Sequence, residues 1–597
     1  MTAIEEAICK LQDKLPVPFV IGVTGHKRVV DSKAARKSLL EFFEFVGKNL
    51  DENTPVILLS ALATGADRWF ALAGKRILGK RCSLGYVMPY DGYEKEAEQQ
   101  SFVFEYLKRL AEFTVRAGGD VDDGDESFYG KQPPPRDHDG KFLKYFSAGE
   151  YIRLNSNLIV AVWDGKIKKT SPAVDSRNGG TGDIVKYCRA PDEYRLNDLS
   201  GEVRPIPVWI ISSARDKSGD GFEECKVKSV KPETLHGILR ELGRLNRKLI
   251  EVAKKADYRV KAAGAMAGLP GDERASSWIY RKTILAGYSD GFKKWHNKLL
   301  RWIFCGSAIA GFFAQAFGGV DFVFFEGKIL GFFGIHGFKT PGATLGLTLL
   351  FAYAAFAFAG FIVYFIIGRR EYVFYGGYRA MSEILRVKAY WTYCGINDSV
   401  LKYGTVMTGF EQKTGINLIR NWRVGETNSA LAPEVFVERV DRVRQNWLDE
   451  QYRYFEKRCK ENAKSDCRRM ILGLIAYVVS LGFVVWFLGG IWRVRGDEST
   501  RLNEIGLWCA YGFLVGIGPF IMACFSYVRS KHRYSELAVS YRKMMEYFGR
   551  AKARMRPTSW LTPAVKRQVL KDIGERALAE TQSWHGNIGT IDPKPII

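Results

Sequence analysis

Three glycine-rich turns contain the residues that could do chemistry. Gly25 follows an apolar run, Gly65 follows the next run, and Gly180 lies beyond a later run and a polar loop. Glycines in such turns let main-chain N–H groups point into a crevice, and a helix that begins there favours a phosphate. One such turn is weak evidence, but three at strand ends predict an anion-binding site. The candidate ligand-binding residues are Gly22, Thr24, Gly25, His26, Lys27, Arg28, Ser60, Thr64, Gly65, Ala66, Asp67, Arg68, Trp163, Asp164, Gly179, Gly180, Thr181, Gly182 and Asp183.

The elements that must position these turns alternate along the front of the chain. Short apolar runs rich in β-branched residues are separated mostly by helical patterns. This alternation predicts an α/β domain with a doubly wound parallel sheet. In such a sheet, ligands bind at the carboxyl ends of the strands, where the strand order reverses. The apolar runs are 18–23, 56–60, 83–88, 158–163 and 206–212.

The turns and their flanking residues resemble the SLOG superfamily. The segments GVTGHKR, ALATGADRWFALAG, GEYIRLNSNLIVAVWDG and NGGTGDIVKY occur in the family's order. SLOG domains are Rossmann-like nucleotide-binding domains, related to the cytokinin-activating phosphoribohydrolases and to the cytosolic domain of TRPM channels. The resemblance implies a small nucleotide-derived ligand, of the ADP-ribose or cyclic-nucleotide kind, and no other cofactor is expected.

The third turn departs from the pattern of the catalytic relatives. They carry a PGGxGTxxE-type loop in which Glu takes part in glycosidic cleavage, whereas this chain has NGGTGD, with Asp183 near the acidic position. Asn157 also stands where many members have Asp. Cleavage of an N-glycosidic bond needs a carboxylate near the sugar, which Asp183, Asp67 or Glu150 could supply. Ribose binding or helix capping explains each of them at least as well. We therefore predict no catalytic residue, and Asp183 is the candidate if the protein is an enzyme.

Four stretches in the second half contain no Lys, Arg, Asp or Glu. They are 302–320, 343–368, 470–492 and 505–528. Each passes the length test of about 20 apolar residues for a bilayer-spanning helix. The sequence therefore predicts an all-α membrane domain with four transmembrane helices and long cytoplasmic helices. The absence of ionisable side chains from these stretches argues against proton-coupled transport and voltage sensing.

Charge and cysteine usage narrow the classes of partner. Lys and Arg outnumber Asp and Glu by 88 to 65, which gives a formal net charge of +23. Nucleic acid, anionic lipid or a small anion could each explain this excess. Because the basic residues crowd the outer flanks of the apolar stretches, a lipid bilayer is the expected partner and nucleic acid is not. The same asymmetry predicts a multi-pass protein of the cell inner (plasma) membrane with both termini in the cytoplasm. The ten dispersed cysteines include no CxxC pair, so neither a metal site nor a disulfide framework is expected.

The helical segments beside the apolar stretches resemble SLATT domains, which are two-helix membrane modules that accompany SLOG domains in bacteria. The segments are YRAMSEILRVKAYW, NWLDEQYRYFEKR and YSELAVSYRKMMEYF. This architecture implies a sensor–effector in anti-phage defence, in which ligand binding gates a transmembrane pore or a membrane-disrupting module. Since one four-helix protomer encloses little room, a homo-oligomer is expected. The alternatives are a membrane-anchored nucleotide-processing enzyme, such as an N-glycosidase or phosphoribohydrolase, and a structural membrane protein that has lost its ligand.

A leucine-rich seam lies between the two halves. Within 233–256, Leu235, Leu242 and Leu249 repeat at the spacing of a heptad. This seam packs either onto the front domain or against another protomer. The predicted organisation is a SLOG-like domain at 1–216, connecting helices at 217–298, a first transmembrane pair at 299–368, a cytoplasmic helical region at 369–469, a second transmembrane pair at 470–528 and C-terminal cytoplasmic helices at 529–597.

Overall fold

The computed structural model describes most of the chain in two units. The described residues are 3–96, 98–117, 141–168, 180–189, 205–214, 222–225, 227–325, 369–400, 418–424, 431–493, 534–556 and 561–590, together with single helical positions at 355, 358, 359, 362, 363, 522 and 526. For 303–325 and shorter parts of other helices, the backbone alone is described. The first unit comprises Met1–Tyr288, Gly377–Ala432 and Gly574–Gly586, and the second comprises Ser289–Gly376, Pro433–Ile573 and Asn587–Ile597.

A parallel sheet forms the centre of the first unit. Its strands are β1 (Phe19–Gly25), β2 (Val56–Ser60), β3 (Cys82–Met88), β4 (Phe113–Arg116), β5 (Leu158–Trp163) and β7 (Val208–Ser212), and a separate antiparallel pair is formed by β6 (Lys166–Lys168) and β8 (Phe222–Glu224). The strands of the parallel sheet are paired in the order β4-β3-β2-β1-β5-β7, and every pair is parallel. All residues of β5 are buried, as is typical of a strand covered by helices on both faces.

Helices cover the two faces of this sheet. They are α2 (Ser32–Asn49), α3 (Ala66–Leu78), α4 (Phe102–Leu110), α5 (Lys141–Leu154) and α6 (Thr181–Arg189). On β1, Ile21 belongs to one core with residues of α2, α3 and α4, whereas Val20 belongs to a second core with residues of α5 and α6.

The strand order reverses at the centre of the sheet. From β1 the chain builds β2, β3 and β4 on one side, and it later returns to build β5 and β7 on the other. The reversal therefore lies between β1 and β5, where a doubly wound sheet binds its ligands.

The leucine seam packs against the hydrophobic core of the first unit. Leu235 and Leu239 of α7 (Pro232–Ala253) are buried in the core that contains α2 and α3. Asn246, farther along α7, accepts a hydrogen bond from the Val17 amide at 2.8 Å and donates to the hydroxyl of Thr54 at 3.0 Å. Packing onto the front domain thus accounts for the buried face of this helix. Of the remaining helices, α1 (Ala3–Asp13) and α8 (Ala256–Ala267) lie in the first unit. Helices α9 (Glu273–Phe325) and α10 (Arg369–Tyr393) lie partly in it, as does the part of the helix Pro563–Thr590 that spans 574–586.

The second unit contains an antiparallel pair of long helices. Asp449 lies 2.7 Å from Lys552, whereas Cys459 contacts the carbonyl oxygen of Ala538, so the two helices run in opposite directions. Phe455 stacks on Phe548 with ring centroids 5.6 Å apart, and these two residues with Trp447 and Tyr541 form an aromatic seam. The helices are α11 (Pro433–Val443), α12 (Asp449–Arg493), α13 (Tyr534–Arg554) and α14 (Pro563–Thr590), and a π-helical turn at Arg444–Leu448 joins α11 to α12.

The predicted membrane domain is not supported. No helix within the described parts of the chain is long and apolar enough to cross a bilayer. The prediction of four transmembrane helices, and with it the multi-pass inner-membrane localisation, is therefore wrong. The predicted stretches 343–368 and 505–528 lie almost wholly outside the described residues.

Candidate functional site

The first and second glycine-rich turns are in direct main-chain contact. Gly65, at the start of α3, has a φ of +88°, and a Cβ there would overlap the carbonyl oxygen of Lys27 and lie 2.7 Å from that of His26. The amide of Ala66 donates to the His26 carbonyl at 3.3 Å. A Cβ on Gly25 would in turn overlap the side chain of Ala66. Both turns therefore need glycine, because their backbones approach too closely for a side chain.

A histidine–carboxylate pair lies at the reversal point of the strand order. The amide of His26 donates to the carbonyl of Val162 at 3.2 Å, which extends the pairing of β1 with β5. Nε2 of His26 lies 3.2 Å from Oδ1 of Asp164 and 3.3 Å from the Asp164 amide, and the side chains are 12% and 7% exposed. An unprotonated Nε2 accepts a hydrogen bond from the Asp164 amide, whereas a protonated Nε2 donates one to the Asp164 carboxylate. The protonation of Nε2 therefore decides which of the two hydrogen bonds forms.

The turn after β5 fixes Asp164. Its Oδ1 accepts a hydrogen bond from the amide of Lys166 at 3.1 Å, and Gly165 between them has a φ of +78°. The indole N–H of Trp163 donates to the carbonyl of Lys166 at 3.0 Å. Trp163 is therefore a buried support of this turn and does not itself face a ligand.

The third glycine-rich turn packs beside the turn after β5. A Cβ on Gly182 would lie 2.9 Å from the side chain of Ile167 and 3.2 Å from the carbonyl oxygen of Lys166. The amide of Gly180 donates to Oδ2 of Asp183 at 3.3 Å. The carboxylate of Asp183 thus caps the beginning of α6, where a negative charge is stabilised by the helix dipole. Gly179 lies outside the described residues, and Thr181 is buried.

Asp67 is buried and organises the turn between β2 and α3. Its Oδ2 accepts from the Ser60 hydroxyl at 3.4 Å, and the amides of Ala61 and Ala63 also donate to its carboxylate. The Ser60 hydroxyl accepts in turn from the amide of Leu62, whose φ is +54°. Burial raises the pKa of Asp67 to about 7, although the hydrogen bonds and Arg68 oppose this rise. Asp67 and Ser60 therefore stabilise an unusual backbone.

Arg68 holds a segment that the sequence patterns did not reveal. We call residues 98–101, between β3 and α4, the strap. Arg68 donates to the carbonyl of Glu98 at 2.9 Å, to the side-chain oxygen of Gln99 at 2.5 Å and to the hydroxyl of Ser101 at 2.9 Å. Its Nε donates to the carbonyl of Leu62 at 3.1 Å. The guanidinium group is thus engaged by the protein itself.

Two further predicted ligand residues also hold the strap. The Thr64 hydroxyl donates to the carbonyl of Glu98 at 3.2 Å, and Nζ of Lys27 lies 2.7 Å from Oε2 of Glu98. Arg28 is exposed and its charge helps to lower the pKa of Glu98. The strap has no glycine signature, and its only cue in the sequence is its position shortly after a predicted strand.

Gly22 has a different role from the other glycines. It lies in the middle of β1, where a Cβ would come within 2.5 Å of the Ser156 hydroxyl and would also overlap Ile152 of α5. Gly22 therefore permits close packing of a helix on the sheet and is remote from the strand end. Thr24, two residues farther on, is partly buried near the carboxyl end of β1.

A cluster of tyrosines was also missed. Tyr90, Tyr93 and Tyr145 pack edge to face, with ring centroids 5.7 to 6.0 Å apart. The hydroxyl of Tyr145 donates to Glu96 at 3.0 Å, and Nζ of Lys27 lies 5.6 Å from the centre of the Tyr145 ring. The cluster therefore forms an aromatic wall beside Lys27.

No protein-family model, curated protein or solved structure matches the chain. Among the described residues, no group of three or more His, Cys, Asp or Glu side chains could hold a metal ion. The resemblance to SLOG and SLATT domains stays a prediction, and a functional assignment depends on the residues of the site.

Proposed function

We propose that the first unit binds a phosphate-bearing, nucleotide-derived ligand of the ADP-ribose kind at the carboxyl ends of β1, β2 and β5. The observation that carries this proposal is the contact between the first two glycine-rich turns. A Cβ at Gly65 would meet the carbonyl oxygens of both His26 and Lys27. The two turns meet at the point where the strand order of the parallel sheet reverses, which is where ligands bind in such sheets. Because no side chain separates the two turns, a ligand there can be bound by main-chain groups.

The local charge supports an anionic ligand. α3 begins at Ala66, and its first amides, which include those of Asp67 and Arg68, have no carbonyl acceptor within the helix. Such amides, together with the helix dipole, favour a phosphate. Lys27 and Arg28 add basic side chains on the neighbouring turn. Because Asp67 is neutralised in part by its raised pKa, its negative charge opposes a phosphate less than an ordinary aspartate would.

A second candidate function is cleavage of the ligand's N-glycosidic bond. The observation that favours it is the largely buried pair of His26 and Asp164, which has the geometry of a general acid or base with its orienting carboxylate. In this reaction the bond between the sugar carbon and the base nitrogen breaks, water adds its hydroxyl group to the sugar, and a proton goes to the base. His26 would carry that proton. Asp183 is a weaker candidate, because its carboxylate caps Gly180.

The two functions are separated by one experiment on the full chain. Purified protein is titrated with ADP-ribose by isothermal titration calorimetry, and the mixture is then examined by chromatography for released base. Binding without release supports the sensor, whereas release that is abolished by His26→Asn supports the enzyme. Gly65→Ala should weaken ADP-ribose binding at least tenfold through displacement of the turn.

A matched control lies at the other end of α3. Gly79 has a φ of +56° and a ψ of −130°, close to the +88° and −122° of Gly65, but open space surrounds its Cβ position. Gly79→Ala therefore introduces a similar backbone strain without overlap at the turn contact. Undiminished ADP-ribose binding by Gly65→Ala, or an equal loss in both variants, would contradict a ligand site at this contact.

A further inference from the structure

Two kinds of contact hold the strap, and they differ in burial. Arg68 is buried where it binds the carbonyl of Glu98 and the side chain of Gln99. In contrast, the side chains of the Lys27–Glu98 ion pair are 45% and 49% exposed. An exposed ion pair contributes little to stability and is screened by salt. Of the contacts that hold the strap, the ion pair between Lys27 and the carboxylate of Glu98 is therefore the one that another anion can most easily replace.

The carboxylate of Glu98 occupies a position suited to a phosphate. The hydrogen bond from Lys27 holds the pKa of Glu98 below its usual range, and the charges of Lys27, Arg28 and Arg68 act in the same direction. Carboxylate and phosphate oxygens accept charge-assisted hydrogen bonds from lysine in the same way. Lys27 also contributes its carbonyl oxygen to the turn contact with Gly65. The ammonium group of the same residue is thus already bound to an anion of the chain itself.

The closed arrangement leaves a polar group of the strap, and one near Arg68, unpaired. Within the described part of the chain, Nε2 of Gln99 and the hydroxyl of Tyr93 have no hydrogen-bond partner, although both side chains are fully buried. Buried polar groups without partners destabilise the arrangement that contains them. Loosening of the strap would let water reach Gln99 and so remove part of that penalty.

We propose that Glu98 is a built-in competitor for the ligand's phosphate, and that binding transfers Lys27 from Glu98 to the phosphate and loosens the strap. This inference rests on the proposed function, because it assigns a regulation to the same site. The exchange is an ion exchange at Nζ of Lys27, in which no covalent bond changes and no proton is required. Ligand binding is thereby coupled to the conformation of the chain between β3 and α4.

Calorimetric titration with inorganic pyrophosphate at low ionic strength tests the competition. Glu98→Gln should bind pyrophosphate about two- to fivefold more tightly than the wild type, which is the range that an exposed ion pair can contribute. Lys27→Met should bind it more weakly, because it lacks the cation itself. Glu41→Gln is the matched control, since Glu41 is exposed on α2 and its ion-pair partner there is Lys37, at 3.8 Å. Its affinity should equal that of the wild type.

Hydrogen exchange of the ligand-free protein provides an independent readout. Amides of the strap and the first turn of α4 should exchange faster in Glu98→Gln and in Lys27→Met, and also in the wild type after addition of pyrophosphate. The two variants thus loosen the strap equally but change affinity in opposite directions. Wild-type binding with equal or weaker binding by Glu98→Gln would overturn the competitor role and leave the proposed function intact. Absence of binding to every variant would refute the proposed function and the competitor role together.

Discussion

The carboxyl group of Asp67 should make the protein less stable as the pH rises through neutrality. Burial raises the pKa of Asp67 from 3.8 to about 7, and a difference of one in pKa corresponds to 1.36 kcal/mol, so the effect amounts to about 4 kcal/mol. The folded protein holds this proton more tightly than the unfolded chain does. The corresponding stabilisation is therefore complete below pH 3.8, decreases as the pH rises, and is absent above about pH 7.

The substitution Asp67→Asn isolates this contribution, because asparagine has a similar shape and no ionisable group. Its amide oxygen can still accept from Ser60. Between about pH 4 and pH 8, the free energy of unfolding of the variant should rise relative to the wild type by about 4 kcal/mol. The measurement is the free energy of unfolding from urea denaturation. Because hydrogen exchange of peptides from α3 provides the readout, it reports on the unit that contains the sheet. Asp257→Asn, at an exposed position of α8, is the control. If the profiles of Asp67→Asn and the wild type run parallel over this range, the reasoning is refuted.

Three further substitutions test the packing that positions the site. Gly65→Ala should lower the free energy of unfolding by about 1–3 kcal/mol more than Gly79→Ala, because only the alanine side chain of the first variant would also overlap the neighbouring turn. Equal decreases in the free energy of unfolding of the two variants, measured by urea denaturation, would contradict the turn contact. Asn246→Ala should cost about 2 kcal/mol, since it leaves the Val17 amide unpaired, and an unchanged denaturation midpoint would contradict the role of that hydrogen bond. Phe455→Ala should cost about 3–5 kcal/mol and accelerate hydrogen exchange in α13, and unaltered exchange there would contradict the aromatic seam.

The parallel sheet could be predicted because its central strands are largely buried on both faces. The run 83–88 corresponds to β3 at Cys82–Met88, and the run 158–163 corresponds to β5. β4 escaped notice because it is a short edge strand. Its residues alternate between half-buried and exposed, and it contributes no continuous apolar run.

The chemistry of the turns was harder to predict than their position. A basic residue beside a glycine is typical of a phosphate site and an acidic one can bind a ribose, and this pattern placed Arg68 and Asp67 among the ligand residues. In the folded chain, Asp67 supports its own turn and Arg68 binds the strap. The partners of Arg68 are distant in sequence, so only the fold reveals that its hydrogen-bonding capacity is already used.

The membrane prediction was wrong because it depended on apolar windows alone. Such windows register the absence of charge in the sequence, whereas no helix within the described parts of the chain is long and apolar enough to cross a bilayer.

The most direct test of the ligand site is an experimental structure of the full chain with bound pyrophosphate. We expect a phosphate oxygen within about 3 Å of Nζ of Lys27 and of an amide in the first turn of α3, with Glu98 withdrawn from Lys27. Pyrophosphate bound away from the contact between Gly65 and Lys27, with the Lys27–Glu98 ion pair intact, would contradict the account.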